Sequence, residues 1–385
     1  MLPLDHITVL DLCRGYPGSF GVMFLSDFGA RVIRVDPPKG GLATEEREAV
    51  FETTFRNKES IVVDLRQKSG REVLYRLVRK ADVLVEGFRP GVMKRLGADY
   101  PTLKEMNPRL IYCSVSGFGQ DGPYAQKPAH DMNFLAIAGA LSMIGPRDGK
   151  PYPPSNYLAD MGGAGVHTAV GTLMALMARE KTGAGQHVDI SYMDGTLSLM
   201  NMDISQYFAT GVLPRRGETR TTAGTVSHDV YLCKDGRYFT TACTETHFWE
   251  NLCRELGKEE LIGFRFAKGE ERDRVKKEFA AVFATRTRDE WTEFFQDKNV
   301  CVGPVHQVEE AVEDPQVLHR RMVLDMDHPT QGKVRQLGMP IKLSDTPGQV
   351  RWLGVPQGTH TDRILFELGY TGEDIAGLHN SQTVV

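Results

Sequence analysis

A chain of 385 residues exceeds the size at which a single hydrophobic core keeps growing, so two domains are expected. Its 41% hydrophobic and 25% charged residues suit an ordinary soluble globular protein, and a net charge of −4 argues against non-specific nucleic-acid binding. No run approaches the roughly 18 apolar residues of a membrane span, and the first residues lack the basic-then-apolar pattern of a secretory signal.

Ile7–Leu12 reads as a buried strand, short and β-branched between turn formers. A loop with Gly15, Pro17 and Gly18 leads into a helix through Met23, Phe24 and Phe28 that ends at Gly29, and Arg31–Val35 is a second strand. Strand, helix and strand at this spacing predict a βαβ unit and a parallel sheet. The loop is not GxGxxG, which argues against a nicotinamide dinucleotide site. The alternation continues through a strand at Ile61–Leu65, a helix over 69–80, a strand at Val83–Glu86, a short helix from Pro90 to Leu96 and a strand at Leu110–Ser116. Gly117, Gly119, Gly122 and Pro123 make a long turn before a helix over 131–142. A Pro-rich stretch (Pro151, Pro153, Pro154) then precedes a helix that starts at Asp160. His187–Ile190 closes the sheet, and 192–208 is a Met-rich helix whose stripe suits either a core or an adaptable acyl-chain surface.

Composition shifts near 213–226, a linker. Beyond it Val230–Leu232 and Tyr238–Ala242 flank Lys234-Asp235-Gly236, a hairpin signal. Helical patterns follow at 246–256, 271–284 and 288–296, then a short strand at Cys301–Val305. Two helices end the chain, the last opening at Thr371 with Asp374 three residues on, close to a capping box. The expected organisation is a large α/β domain over 1–212, completed by the 345–385 segment, and a small α+β domain over 227–328. Residues 329–344 form the return linker.

Three residues stand out as candidates for chemistry. Asp160, before Gly162, Gly163 and a long apolar helical pattern, is either a helix cap or a reactive carboxylate that the glycines open to a ligand. His130 precedes a helix and Glu245 follows a strand; each has an ordinary structural reading as well. Between 56 and 95 cations outnumber acids, forming either a solvated face or a footprint for a polyanionic ligand. Six cysteines without close pairs disfavour a zinc site and suit reduced thiols in a cytoplasm.

Several motifs, taken together, resemble the family III CoA-transferases (CaiB/BaiF type). They include Val9-Leu10-Asp11-Leu12 with Pro17-Gly18, Leu25 through Val35, Arg56-Asn57-Lys58 and Asp82 through Met93. Asn107 through Tyr112, Ser116 through Gln120 and Gly183 through Ile190 continue the match. Within that family His130-Asp131-Met132-Asn133-Phe134 and Asn156-Tyr157-Leu158-Ala159-Asp160 are most similar to the α-methylacyl-CoA racemase branch, and Glu245 falls where that branch carries a glutamate.

The resemblance implies a Rossmann-like large domain with a smaller α+β domain, in an interlocked homodimer. It implies racemisation of a 2-methyl-branched acyl-CoA in lipid metabolism, with His130 and Asp160 as the two bases and Glu245 orienting the imidazole. Backbone N–H groups at the start of the Asp160 helix are expected to meet the enolate oxygen. The alternative is a CoA-transferase in which Asp160 attacks the thioester. Coenzyme A, carried by the substrate with no prosthetic group or metal, is expected against Val63, Leu65 and Arg66 near the adenine and Gly87, Phe88, Arg89 and Arg95 near the phosphates. Ala129, Asp131, Asn133 and Phe134 complete the expected contacts. The expected partner is this acyl-CoA thioester, with neither nucleic acid nor membrane, in the cytoplasm.

Overall fold

Strands β1 (Thr8–Leu12), β2 (Arg31–Asp36), β3 (Lys58–Val62), β4 (Val83–Glu86), β5 (Ile111–Ser116) and β6 (His187–Ser191) form one parallel sheet in the order β3-β2-β1-β4-β5-β6. The computed structural model describes residues 1–38, 53–155, 157–328 and 331–385. They group into two compact units, one of 1–138, 154–200 and 316–385, the other of 139–153 and 201–315.

In the first unit, successive strand residues serve opposite faces of the sheet. Leu10, Ile33 and Leu84 join a core covered by the helices Lys68–Val78, Thr361–Glu367 and Gly372–Asn380. Val9, Val32, Val83 and Val85 join a second core under Tyr16–Asp27 and Val166–Thr182. Burial on both faces is why these strands read as continuous apolar runs. The chain's end is fastened to this sheet: Val63 bridges Val384, and the Asn57 amide bonds the backbone of Gln349, Arg351 and Trp352. Leu158–Thr182 holds an 18-residue window of mean hydropathy 1.3, long and apolar enough to cross a membrane by length and composition, with 44% of the window buried inside the fold.

The second unit carries an antiparallel sheet of β7 (His228–Leu232), β8 (Tyr238–Ala242) and β9 (Val302–Pro304). Its helices Thr246–Glu255, Gly269–Phe283 and Arg288–Phe295 pack Trp249, Phe279, Phe283, Trp291 and Phe295 against Tyr231 and Phe239.

Several elements differ from the sequence expectation, among them an unannounced helix at Tyr100–Met106 and a helix that ends at Ile137 rather than at 142. β3 begins three residues earlier than the apolar run, because Lys58 enters the sheet with its charge neutralised by Asp11. The helix expected over 192–208 breaks into Tyr192–Leu199 and Asn201–Thr210 at Met200, the border between the two units. A hairpin of β10 (Val323–His328) and β11 (Gly332–Leu337) occupies a stretch without the clean apolar alternation that announces strands. All six cysteines are free, and among the described residues no group of three His, Cys, Asp or Glu is placed to hold a metal ion.

Candidate active site

The order of the parallel sheet reverses between β1 and β4, and open α/β sheets take ligands in the crevice at such a switch point. Here the crevice is edged by Cys13-Arg14-Gly15 after β1 and Gly87-Phe88 after β4. The Arg14 guanidinium lies over the Phe88 ring, 5.1 Å from its centre, and Phe88 N–H donates to the Glu86 carboxyl at 2.8 Å. Burial pushes that carboxyl above its ordinary value. The first lip rests on a buried cluster: Lys58 Nζ donates to Asp11 Oδ2 at 2.8 Å and to Ser19, and Cys13 N–H donates to Asp11 Oδ1 at 3.0 Å. Burial, with Asp11 beside it, drives the Cys13 thiol far up, so it stays neutral and is no nucleophile.

Part of the basic stretch is therefore structural. Lys58 answers Asp11, and Arg56 answers Asp27 at 2.6 Å; all four side chains are buried. Arg66 is exposed but bidentate to Asp64. Arg89 and Arg95 remain exposed beside the β4 lip. Val63 and Leu65 pack on the sheet's first core, Val63 with only 2% of its surface exposed and its N–H donated to the Asp36 carbonyl at 2.8 Å.

The Pro-rich stretch delivers Tyr157 in the left-handed region, φ +48°, an uncommon setting for a side chain of this size. From it springs a π-helix, Leu158–Gly165, continued as the α-helix Val166–Thr182. Such wide turns are rare and frequent at functional sites. Asp160 is its third residue, so the cap reading is corrected: Tyr157 holds the N-cap position, and the carboxylate at this helix start is that of Asp131. Asp131 Oδ1 accepts from both Ala159 N–H and Asp160 N–H, each at 2.9 Å. Those donors are spent, which also corrects the expectation that they meet an enolate oxygen. Asp160 is half-buried, and burial first, then the negative charge of Asp131, push its carboxyl up to about 7. Asn156, between the prolines and Tyr157, lies outside the described residues.

Asp131 directly follows His130, which caps the helix Asp131–Ile137 with its imidazole exposed. His130 and Asp160 thus sit on segments joined through one carboxylate. Asn133 is spent on this cap, its Oδ1 accepting His130 N–H at 3.1 Å. Phe134 is buried against Phe118 and Tyr192, ring centres 5.3 and 4.9 Å away, which makes it packing rather than ligand surface. Ala129 is half-buried just before the histidine. The two glycines after Asp160 differ. A Cβ on Gly162 would meet only Leu199 Cδ1 at 3.5 Å, whereas one on Gly163 would press on Thr196 and Tyr192 at 2.9–3.1 Å. Gly163 serves helix packing. Glu245 belongs to the second unit, where it stands at the N-cap of Thr246–Glu255 and accepts from Thr244 Oγ1 at 3.0 Å; that bond holds its carboxyl below the usual range.

Sequence reasoning missed Tyr157, Arg14 and the clamp by Asp131. The one available signal for the first is a bulky residue wedged between a proline run and an acid; the other two depend on contacts distant in sequence.

Comparison with known proteins decides the family. The sequence model of CoA-transferase family III matches residues 4–361. The chain belongs to that family. Across its whole length it is 36% identical to α-methylacyl-CoA racemase of Homo sapiens, covering 98% of that protein. It is 37% identical over 355 residues to acetyl-CoA:oxalate CoA-transferase of Acetobacter aceti, covering 89% of each. The crystal structure of a CaiB/BaiF family protein from Brucella suis superposes with a TM-score of 0.81 at 31% identity, over 95% of this chain and 99% of that one. Family III thus includes relatives of both chemistries at nearly equal identity, and the site has to separate them.

Proposed function

We propose that this family III enzyme is an acyl-CoA racemase or epimerase that inverts the α-carbon of a 2-methyl-branched acyl-CoA. Taking a proton from a carbon beside a thioester carbonyl and returning one to the opposite face requires two groups, each base in one direction and acid in the other. Asp160 and His130 are assigned those places. The observation that carries the reading is the Asp160 carboxyl, held at about 7 on a segment tied to the residue beside His130. A group titrating near neutrality exists in both protonation states in comparable amounts, as a reversible donor and acceptor must. The crevice between β1 and β4 takes the coenzyme A portion, with Arg89 and Arg95 for its phosphates and the Arg14–Phe88 pair as its lip.

The second reading keeps Asp160 as a nucleophile that attacks the thioester, forms an anhydride and then carries coenzyme A as an aspartyl thioester to another acid. Near-equal identity to a transferase favours it. A carboxyl at about 7 is half ionised at neutral pH, which costs such a nucleophile only about twofold. Incubation with one 2-methylacyl-CoA in deuterated water, with no acceptor acid, separates the two. Deuterium at the α-carbon is the expected result; no α-deuteration there, with coenzyme A transferred once a second carboxylic acid is added, refutes the racemase.

We also propose a homodimer. Val166, Val170, Leu173, Met174 and Met177 form an exposed apolar stripe along Val166–Thr182, and a second copy of the chain is the partner that the family resemblance implies for it.

A further inference from the structure

We propose that Asp131 is a positioning residue for Asp160: its carboxylate clamps the first turn of the π-helix to the helix capped by His130 and places a fixed negative charge beside the reacting carboxyl. The inference rests on the reading of Asp160 as a proton-transfer group and adds to it the residue that prepares it.

The geometry is specific. One oxygen, Asp131 Oδ1, takes two consecutive N–H groups at 2.9 Å, so the bonds run to the segment that carries Asp160 and not merely to a neighbouring loop. An anion is favourable at a helix start, and that is where the Asp131 carboxylate stands. Tyr157, just before that turn, is in the left-handed region, a conformation that persists only where surroundings hold it. The clamp supplies such a hold, together with the Tyr157 ring stacked 6.2 Å from that of Tyr16. Because Asp131 is bonded in sequence to His130, movement of either segment shifts imidazole and carboxyl together.

Other titratable groups stand on the elements packed around Leu158–Gly165: Tyr16 on the first helix, His167 on the following one, Tyr192 and Asp194 on the next, and His187 and Asp189 on β6. Among the described residues only Asp131 acts on Asp160 by charge; Tyr192 is in turn acted on by Asp160, and burial drives its phenol far above any working pH. The charge effect therefore belongs to one replaceable side chain.

Asp131→Asn keeps an oxygen acceptor for both N–H groups and removes the charge; Asp131→Ala removes both. With aspartate labelled at the carboxyl carbon, Asp160 is followed by NMR through pH titration and assigned by its disappearance in Asp160→Asn. In Asp131→Asn the fold is expected to keep its melting temperature while Asp160 titrates below its parental value of about 7. The pH midpoint of α-deuterium exchange should move down with it. In Asp131→Ala exchange at the optimum should fall by about 100-fold, the loss that misplacement of a reacting group brings. An Asp160 titration unchanged in Asp131→Asn overturns the inference, whatever the alanine variant does. The titration needs no turnover, so it is distinguishable from failure of the racemase reading, which shows as absence of α-exchange in the parent itself.

Discussion

Replacing Asp160 by Asn should make the protein more stable while abolishing its proposed chemistry, and the gain should grow with pH. The carboxyl titrates at about 7 in the fold against an ordinary 3.8. Between those values the folded chain keeps a proton that the unfolded chain has released. Parental stability is therefore highest below 3.8, declines as pH rises, and levels off above about 7. The amide has no such dependence. From about pH 5 to about pH 8 the decline spans two pH units, about 2.7 kcal/mol at about 1.36 kcal/mol each. Asp160 is only half-buried, and screening by water brings this to roughly 1.4 kcal/mol. Urea denaturation of parent and variant at both pH values measures it, and taking the difference between the two proteins cancels the titrating groups that do not interact with Asp160. A difference that stays constant from pH 5 to pH 8 refutes the argument, because then neither burial nor Asp131 perturbs this carboxyl.

Lys58→Met strands the fully buried Asp11 carboxylate and should cost about 3–5 kcal/mol in urea denaturation; a loss below about 1 kcal/mol means that the pair is not what holds the β1 lip. At Gly195 a Cβ would lie 1.8 Å from the Gly163 carbonyl oxygen, so Gly195→Ala should destabilise by at least about 1–3 kcal/mol. Gly162→Ala, with only Leu199 in contact, should stay within about 1 kcal/mol of the parent. In the second unit, Arg288 holds the Glu310 carboxyl down at about 2 against an ordinary 4.5. A depressed carboxyl stabilises above its unfolded value and loses that contribution as pH falls, so Glu310→Gln should flatten the acid-side fall in melting temperature between pH 4.5 and 2. Met174→Glu combined with Met177→Glu should make the proposed homodimer monomeric in size-exclusion chromatography with light scattering, and a variant that stays dimeric rejects the stripe as its interface.

The parts that sequence reading found share a physical property: their signal is local. β1, β2, β4 and β5 are short β-branched runs buried on both faces, and the last helix opens on a true capping box, Thr371 Oγ1 accepting from Asp374 N–H at 3.2 Å. What escaped is non-local. Lys58 sits in a strand only because Asp11, 47 positions earlier, neutralises it, and no periodicity registers that. Asp160 read either as a cap or as a reactive carboxylate, because an acid before a helical pattern ordinarily is a cap. Its true setting depends on a carboxylate 29 positions away that reaches the same helix start first. Asp131 entered the sequence reading only as a ligand contact implied by the resemblance, because its bonds to Ala159 and Asp160 leave no local trace. Behind the cap alternative lies a competition of two acids for one set of backbone donors. The acid that won these donors, Asp131, stands beside the other. Asp160, without them, is left with burial and a like charge, the two influences that make a carboxylate hold its proton near neutrality.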